Sequence, residues 1–198
     1  MSTYNTTNKD YRTETVTLGN GRRVVVRPVS RKDGQLEKDL IENLSPETRR
    51  DRFIGGSCKA SEKLIELLTD NDHQQHEAYI AVSGSNHSQR AVAVAHYALD
   101  DDGQAAECAV VVSDDWQGLG LGSLMLQRLI DSACEQGLER IYSIESADNV
   151  RVKSFAKSMG FRCVADPRDY TLLTYTRDLP RAVASRDDRA YRVTLRTR

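Results

Sequence analysis

Runs of residues with the apolar and β-branched character of strands recur along the chain. The first two runs, in residues 13–29, surround Asn20-Gly21, a dipeptide that favours a hairpin because both residues tolerate positive φ. Next come EAYIAV, RAVAVAHYAL and QAAECAVVV, which are separated by short polar turns and predict an antiparallel meander. ERIYSIES predicts a strand that returns beside the meander, and FRCVA and DYTLLTYTR predict a last pair around Pro167.

Between these strands, apolar residues recur at the spacing of helices. Serine residues that can act as N-caps predict three early helices, which follow Ser30, Ser45 and Ser61. The predicted inner face of the third helix consists of Leu64, Leu67 and Leu68. A long helix begins within residues 117–123 and is predicted to end at Gly137. A last helix is predicted from Asn149 to Met159, with Gly160 closing it.

The length of the chain, 198 residues, predicts one domain of ordinary size. We expect this domain to span residues 13–179, with a flexible N-terminus at residues 1–12 and a basic tail at residues 180–198. The tail has six arginines against two aspartates and little apolar periodicity, so we expect a solvated end rather than a binding arm. The formal net charge of −1 gives no global field of the kind that attracts nucleic acid or an anionic membrane.

The spacing of the cysteines and the residue order at the N-terminus indicate the cellular compartment of the protein. Cys58, Cys108, Cys134 and Cys163 are scattered without CxxC spacing, so neither a zinc knuckle nor a redox pair is indicated. The first residues, MSTYNTTNKDYRTE, lack the basic-then-apolar order of a secretion signal, and the longest apolar runs reach about half a bilayer span. These features predict a soluble protein of the reducing cytoplasm.

Residues 110–130, VVVSDDWQGLGLGSLMLQRLI, combine a β-rich run, a glycine-rich turn and an amphipathic helix. A Walker phosphate loop is excluded because Gly122-Ser123-Leu124 contains no lysine. A dinucleotide fingerprint is disfavoured because Ser123 stands where its third glycine belongs and the preceding strands are predicted to be antiparallel. A glycine-rich helix N-terminus nevertheless offers exposed amides and a positive dipole end to a phosphate group.

The hexapeptide QGLGLG, residues 117–122, resembles the Q/R-x-x-G-x-G/A motif of the GNAT superfamily of acetyl-CoA-dependent acyltransferases. DNVRVKSFAKSMGF resembles the superfamily's second cofactor segment, in which an asparagine opens a helix that ends in Gly-Phe. TLGNGRRVVVRPVSRKD, LSPETRRDRF and AECAVVVSDDWQGLGLG together resemble the acetyltransferase domain of Pat-type protein lysine acetyltransferases. The resemblance implies an α/β GNAT fold, with a mixed, mostly antiparallel sheet of about seven strands that is flanked by helices and splayed at the acetyl-CoA site.

The same resemblance implies acetyl-CoA as co-substrate and no metal. In such proteins the pyrophosphate lies on the glycine-rich loop, and the pantetheine arm pairs with the main chain of the splayed strand. The residues that the resemblance assigns to the cofactor are Val110, Val111, Val112, Gln117, Gly118, Leu119, Gly120, Leu121, Gly122, Ser123 and Asn149.

Attack on a thioester needs a neutral amine, so a base must remove a proton from the acceptor. Glu107 stands where the GNAT pattern places a strand glutamate, and we expect desolvation by its apolar strand to make it an effective base, directly or through water. A structural glutamate in a surface salt bridge is the alternative interpretation. Many GNAT enzymes protonate the leaving thiolate with a tyrosine of the last helix, where this chain has Ala156. Tyr170 and Tyr175 are alternative donors, although we expect core packing for both.

Three functions remain open at this level: acetylation of a protein lysine, for example in an acyl-CoA synthetase, acetylation of a small-molecule amine, and non-catalytic sensing of acetyl-CoA. Pat-type proteins usually carry a synthetase-like or nucleotide-sensing domain as well, for which we expect no residues here. The acidic turn at residues 100–102 is expected to be solvated, or alternatively to attract a cationic substrate. His73 and His76 are expected to form polar surface rather than a metal site.

Overall fold

The computed structural model of the protein describes residues 13–53, 60–85, 88–165 and 169–180. The predictions for the N-terminus (residues 1–12), for the tail beyond Pro180, for Cys58 and for Pro167 therefore lie outside the described residues. Within the described part of the chain, no helix combines the length and the apolar character that crossing a membrane requires.

The strands of the described residues form a single eight-stranded sheet, where about seven strands were expected. The strands are β1 (Glu14–Thr17), β2 (Arg23–Pro28), β3 (His76–Ser83), β4 (Arg90–Leu99), β5 (Ala105–Val112), β6 (Arg140–Ser146), β7 (Arg162–Ala165) and β8 (Leu172–Asp178). Their order across the sheet is β1-β2-β3-β4-β5-β6-β8-β7, and every pair is antiparallel except β5 and β6. These correspond to the eight strands that the apolar pattern predicts, one more than the family resemblance implies.

Five α-helices connect the strands within the described ranges. They are α1 (Gly34–Glu42), α2 (Pro46–Arg52), α3 (Glu62–Thr69), α4 (Leu121–Gln136) and α5 (Val150–Ser158). The helix predicted after Ser30 begins later than expected, because a 3-10 turn at Arg31–Asp33 comes before α1. The mixed, mostly antiparallel α/β architecture predicted from the sequence is confirmed.

The opening hairpin turns at the predicted dipeptide. Gly21 has a φ of 83°, in the left-handed region that favours glycine, and the Asn20 side-chain oxygen accepts a hydrogen bond from the Arg22 N–H at 3.0 Å. The Leu18 N–H donates to the Arg22 carbonyl at 2.8 Å and closes the turn. The hairpin prediction is therefore confirmed.

The sheet has a hydrophobic core on each face. On the first, which we call the α4 face, the buried side chains of α4 are Leu121, Met125, Leu126, Leu129, Ile130 and Ala133. On the second, which we call the α1 face, Leu40 and Leu44 pack with Ile80 and Val94 of the central strands. The amphipathic character predicted for the long helix is thus confirmed in α4, and a helix layer covers each side of the sheet.

The predicted inner face of α3 is wrong at Leu67, which is 61% exposed. Ile65 packs instead over Gly34, where a Cβ atom would lie 3.1 Å from the Ile65 Cγ2 atom. The reason is that α3 rests on α1 and on the 3-10 turn before it. A short helix on another helix buries a narrower stripe than a helix on a sheet does.

The parallel pair β5–β6 separates after a short contact. Only the first three residues of β5 are paired with β6, and the last of these pairs joins Glu107 to Tyr142. Beyond this point β6 keeps its partner β8, and β5 keeps its partner β4. The edge of β5 from residue 108 to residue 112 therefore has no neighbouring strand, and a gap opens in the middle of the sheet.

Candidate active site

The gap between β5 and β6 is a cleft of about 980 Å³. The free edge of β5 lines one side of it, and β6 and α5 line the other. Its wide end lies at the start of α4, and its closed end lies at Glu107, where the two strands meet. A strand edge without a partner leaves backbone N–H and C=O groups that an extended ligand can satisfy.

The glycine-rich turn at the wide end presents bare backbone. Gly118 and Gly120 have φ values of 72° and 81°, so a side chain would be strained at either position. Gly120 is the N-cap of α4 and supplies no side chain to the helix end. Leu124 is the first residue of α4 whose backbone N–H is hydrogen-bonded to the turn. It donates to the Gly120 carbonyl at 3.1 Å. The amides of residues 121–123 precede this bond and are available to an anion.

Gly122 has a different reason to be glycine. A Cβ atom there would lie 3.6 Å from Val112 Cγ2 and 3.8 Å from the Phe155 ring, which are ordinary van der Waals distances. The protein alone therefore accommodates a side chain at this position. Because Gly122 also lines the cleft, the missing side chain keeps that space open for a ligand.

The structure brings most of the predicted cofactor residues to one cleft. Those that line it are Val110, Val111, Val112, Gln117, Gly118, Gly120, Gly122, Ser123 and Asn149. Leu121 is fully buried in the α4-face core, and Leu119 packs against that core from its edge. These two leucines do not line the cleft, so only their main-chain groups remain as candidate contacts.

Gln117 joins the glycine-rich turn to α2. Its side-chain amide donates to the Val112 carbonyl at 3.1 Å and to Thr48 Oγ1 at 3.2 Å. Asp114 strengthens this junction by accepting hydrogen bonds from Thr48 Oγ1 at 2.6 Å and from Ser45 Oγ at 2.7 Å. Partial burial alone would raise the pKa of the Asp114 carboxyl group. The hydrogen bonds from Thr48 and Ser45 stabilise the charged form more strongly and hold this pKa below its usual range. The start of α2 is thereby fixed beside the wide end of the cleft.

Glu107 lies at the closed end of the cleft, on the α1 face. Val111 packs in the α1-face core and Cys108 in the α4-face core, so the alternation along β5 places Glu107 with Val111. The expectation that the strand desolvates Glu107 is wrong, because this side chain is exposed where β5 and β6 part. Among the described residues it has no hydrogen-bond or ion-pair partner, so the alternative of a structural salt bridge also finds no support there.

Glu145 is a second carboxylate of the cleft, which the sequence reasoning missed. Its side chain accepts hydrogen bonds from Ser143 Oγ at 2.7 Å and from Asn149 Nδ2 at 3.3 Å. The oxygen of the same Asn149 side chain caps α5 by accepting from the Val152 N–H at 3.2 Å. Burial raises the pKa of Glu145 above its usual value despite these hydrogen bonds.

We expect Glu145→Gln to change how stability depends on pH. The folded protein holds the Glu145 proton more tightly than the unfolded chain does. The stabilisation from this raised pKa is therefore complete below the pKa of the unfolded chain and is lost as pH rises through the pKa of the folded protein. Thermal unfolding from about pH 4 to pH 8, which brackets a raised glutamate pKa, should show the melting temperature of the variant rising relative to that of the wild type. A difference that does not vary with pH would contradict this account.

Trp116 and His73 lie outside the lining of the cleft, and Cys108 lies within it. Trp116 is buried with the Arg22 guanidinium 4.9 Å from its ring centroid, and it does not line the cleft. His73 Nδ1 lies 2.9 Å from Glu77 Oε1, and the described part of the chain contains no group of three or more His, Cys, Asp or Glu residues placed to hold a metal. Cys108 lines the cleft, but burial raises its pKa to about 12, so the thiol stays protonated and is a poor nucleophile.

The cleft therefore has an anion-binding turn at one end, a free strand edge along its length and a carboxylate at the other end. Comparison with known proteins identifies this arrangement. The model of the Acetyltransferase (GNAT) family matches residues 41–161. Acetyltransferase PA5475 of Pseudomonas aeruginosa is 38% identical over 154 residues, which make up 78% of this chain and 83% of that protein. The chain belongs to the GNAT family of acetyltransferases.

Two further similar proteins carry the name Pat. Acetyltransferase Pat of Mycolicibacterium smegmatis is 27% identical over 146 residues, which make up 73% of this chain but 43% of that protein. The crystal structure of the GNAT domain of S. lividans PAT aligns with a TM-score of 0.76 at 22% identity, over 84% of this chain and 97% of that domain, and so shares the fold. The protein is accordingly an acyltransferase whose co-substrate is acetyl-CoA.

Proposed function

We propose that this acetyltransferase transfers the acetyl group of acetyl-CoA to a lysine side chain of a protein such as an acyl-CoA synthetase. In this proposal acetyl-CoA occupies the β5–β6 cleft, with its pyrophosphate on the amides of residues 118–123 and its pantetheine arm along the main chain of residues 110–112. The observation that carries the proposal is the placement of Glu107 at the closed end of this cleft, on the face opposite α4. The resemblance to Pat-type proteins supports the choice of lysine as acceptor.

Glu107 acts as the general base in this scheme. A lysine amine has a pKa of about 10.4, so it reaches the site mostly protonated and has no lone pair for attack until one proton passes to Glu107. A second proton is released to water as the nitrogen–carbon bond forms. Because Glu107 is exposed and has no partner among the described residues, its carboxylate is accessible to the acceptor amine or to a bridging water. The amine then approaches from the α1 face while the cofactor lies along the strand edge.

Negative charge around the closed end supports a cationic acceptor. The turn at residues 100–102 carries three aspartates and leads from β4 into β5, and the β4–β5 register places it at the Glu107 end of the strand. Asp100 accepts a hydrogen bond from the Tyr142 hydroxyl at 2.7 Å, and Tyr142 is paired with Glu107. The exposed position of this turn on the rim favours an ammonium group that is presented by a large molecule.

A cytoplasmic location fits this function. Cys108, Cys134 and Cys163 are all unpaired, as is usual for proteins of a reducing compartment. Acyl-CoA synthetases, which form acyl-CoA thioesters, and the acetyl-CoA that this enzyme consumes are expected in the same compartment.

A thiol-release assay tests the acceptor. Purified acyl-CoA synthetases and a panel of polyamines, amino acids and amine drugs are each incubated with the enzyme and acetyl-CoA, and acetylated lysines are located by mass spectrometry. We expect release of CoA with at least one synthetase, and none after its modified lysine is changed to arginine. Rapid turnover of a small amine without acetylation of any protein would instead identify a small-molecule N-acetyltransferase.

A further inference from the structure

Glu37 of α1 and His96 of β4 form a buried acid–base pair on the α1 face. Glu37 is 2% exposed, and its Oε1 atom lies 3.0 Å from His96 Nε2. Its second oxygen, Oε2, is buried and has no hydrogen-bond partner among the described residues. Glutamate is almost never fully buried unless it is paired, so His96 is the group that compensates this carboxylate.

The contact with Glu37 determines which nitrogen of His96 is free. An ionised carboxylate only accepts hydrogen bonds, so we assign the ring proton of a neutral His96 to Nε2. Nδ1 then carries a lone pair, and it has no hydrogen-bond partner within the described ranges. The side chain is 14% exposed, so water reaches the ring. A buried carboxylate at Nε2 orients the imidazole and stabilises the imidazolium that forms when Nδ1 takes up a proton.

The sheet register places His96 next to the candidate base. His96 is paired with Ala109, and Glu107 is paired with Ala98. His96 lies two residues from Val94 of the α1-face core, so it shares that face with Glu107. His96 and Glu107 are therefore diagonal neighbours of an antiparallel pair, which lie about 7–8 Å apart and within reach of long side chains.

The other diagonal of this patch is occupied by two alanines. Ala98 and Ala109 end at a methyl group, and neither is fully buried. Ala109 also lines the cleft. The small side chains leave space between the Glu107 carboxylate and the His96 ring, and this space accommodates a water that is hydrogen-bonded to both.

We propose that His96, held by Glu37, accepts the second proton of the acceptor amine, an inference that rests on the acceptor position of the proposed function. Glu107 takes the first proton, the freed nitrogen bonds to the acetyl carbonyl carbon, the carbon–sulfur bond breaks, and its electron pair stays on the sulfur. The second proton leaves the nitrogen through a water, which passes it to His96 Nδ1. The thiolate takes up a proton from water after release, and Glu107 and His96 return theirs to water before the next turnover.

A single carboxylate does not suffice for this reaction. A primary ammonium group loses two protons when it becomes an amide, and Glu107 holds only one of them. His96 provides a second acceptor within the protein, one strand away from the first. The negative charge of Glu37 offsets the positive charge that His96 acquires, which would otherwise repel a cationic acceptor.

The test compares His96→Gln and His96→Ala with the matched control His76→Ala. His76 is paired with Ala98 from the other side of β4, so it faces the same way but lies two strands from Glu107. His96→Gln keeps an N–H donor for Glu37, so we expect this variant to fold. A purified acyl-CoA synthetase and spermidine serve as acceptors, because every primary ammonium group loses two protons. Initial rates, calorimetry with acetyl-CoA and thermal unfolding are measured for each protein.

We expect both His96 variants to lower kcat by about 10²-fold, at the low end of the range for a positioned proton acceptor, without changing the affinity for acetyl-CoA. Imidazole should restore part of the kcat of His96→Ala. The ring of 1,2,4-triazole has the same shape but is a far weaker base, so it should not restore kcat. Glu37→Gln keeps an oxygen for Nε2 but removes the charge, and it should lower kcat by a smaller factor. His76→Ala should retain wild-type kcat.

A purely structural role of His96 gives a different result. In that case triazole would restore His96→Ala as well as imidazole does, or neither ring would restore it, and either result would overturn the inference. Wild-type kcat in both His96 variants, with Glu107→Gln impaired, would also overturn the inference but leave the proposed function standing. A wild type that acetylates neither acceptor would overturn both.

Discussion

Glu107→Gln is expected to lower kcat by about 10²–10⁴-fold and to leave the affinity for acetyl-CoA unchanged. The loss is that of a general base, since the amide cannot accept the proton of the acceptor amine. Affinity should persist because the proposed contacts to the cofactor are main-chain groups of β5 and of the glycine-rich turn. Glu107 has no partner among the described residues, so the nearly isosteric change should leave the fold intact. Initial rates and acetyl-CoA binding, measured on the same preparations, separate the two effects.

The control for this variant is Glu62→Gln, which removes an exposed carboxylate on α3, away from the cleft. It should retain wild-type kcat. Glu107→Gln should also recover part of its activity toward about pH 10, where a larger fraction of the lysine acceptor is already neutral. A variant within about threefold of the wild type near neutral pH would show that Glu107 is not the base. If the variant lost acetyl-CoA binding along with activity, Glu107 would instead be a residue that stabilises β5 where it separates from β6.

Gly122→Glu is expected to weaken acetyl-CoA binding by about 10²–10³-fold without unfolding the protein. A like charge about 4 Å from a phosphate costs up to ~4 kcal/mol at the effective dielectric of a protein surface. The fold should tolerate the change, since a Cβ atom at this position meets its neighbours at ordinary contact distances. A glutamate in the first turn of α4 also gains in helix propensity and in its interaction with the helix dipole.

The neutral variant Gly122→Gln separates charge from bulk. It should bind acetyl-CoA more tightly than Gly122→Glu does, and the difference should shrink as salt is added, because the charge near the cleft mouth is partly screened. Calorimetry and thermal unfolding supply the affinity and the stability of each variant. If Gly122→Glu bound acetyl-CoA as tightly as the wild type, the pyrophosphate would lie elsewhere.

Local sequence patterns were sufficient to predict most of the helices and strands. Ser45 was predicted as a helix N-cap, and Ser61 and Asn149 were predicted as the starts of helices. In the structure the side chain of each of the three accepts a hydrogen bond from a backbone N–H three residues later. Such caps depend on a few neighbouring residues and need no tertiary contact. The apolar stripe of α4 was predictable for a similar reason, since a helix that covers a sheet must bury one whole side.

The burial of the side chains that line the cleft was not predictable from the sequence, because it depends on which strands lie side by side. Glu107 interrupts an apolar strand, and that pattern predicted burial, but the side chain is exposed because β5 and β6 part beside it. Glu145 belongs to ERIYSIES, where polar residues alternate as in any half-exposed strand, so its place in the cleft and its raised pKa could not be predicted from this pattern. Tyr170 and Tyr175 were both expected in the core, which is confirmed for Tyr175 at 3% exposed and wrong for Tyr170, which is 80% exposed.

Amide hydrogen exchange with and without acetyl-CoA is the most direct test of the cofactor placement on which the mechanism depends. The backbone N–H groups of Val110 and Val112 face the free edge of β5, because the antiparallel pattern alternates and Ser113 is hydrogen-bonded to Val92 beside β4. Those of residues 118–123 lie in the glycine-rich turn and at the start of α4. We place the pantetheine arm at the first set and the pyrophosphate at the second. Acetyl-CoA should slow exchange in peptides that cover these two segments, and exchange in the β1–β2 hairpin should stay the same. Unchanged exchange at residues 118–123 with saturating acetyl-CoA, or protection confined to another part of the sheet, would contradict the account.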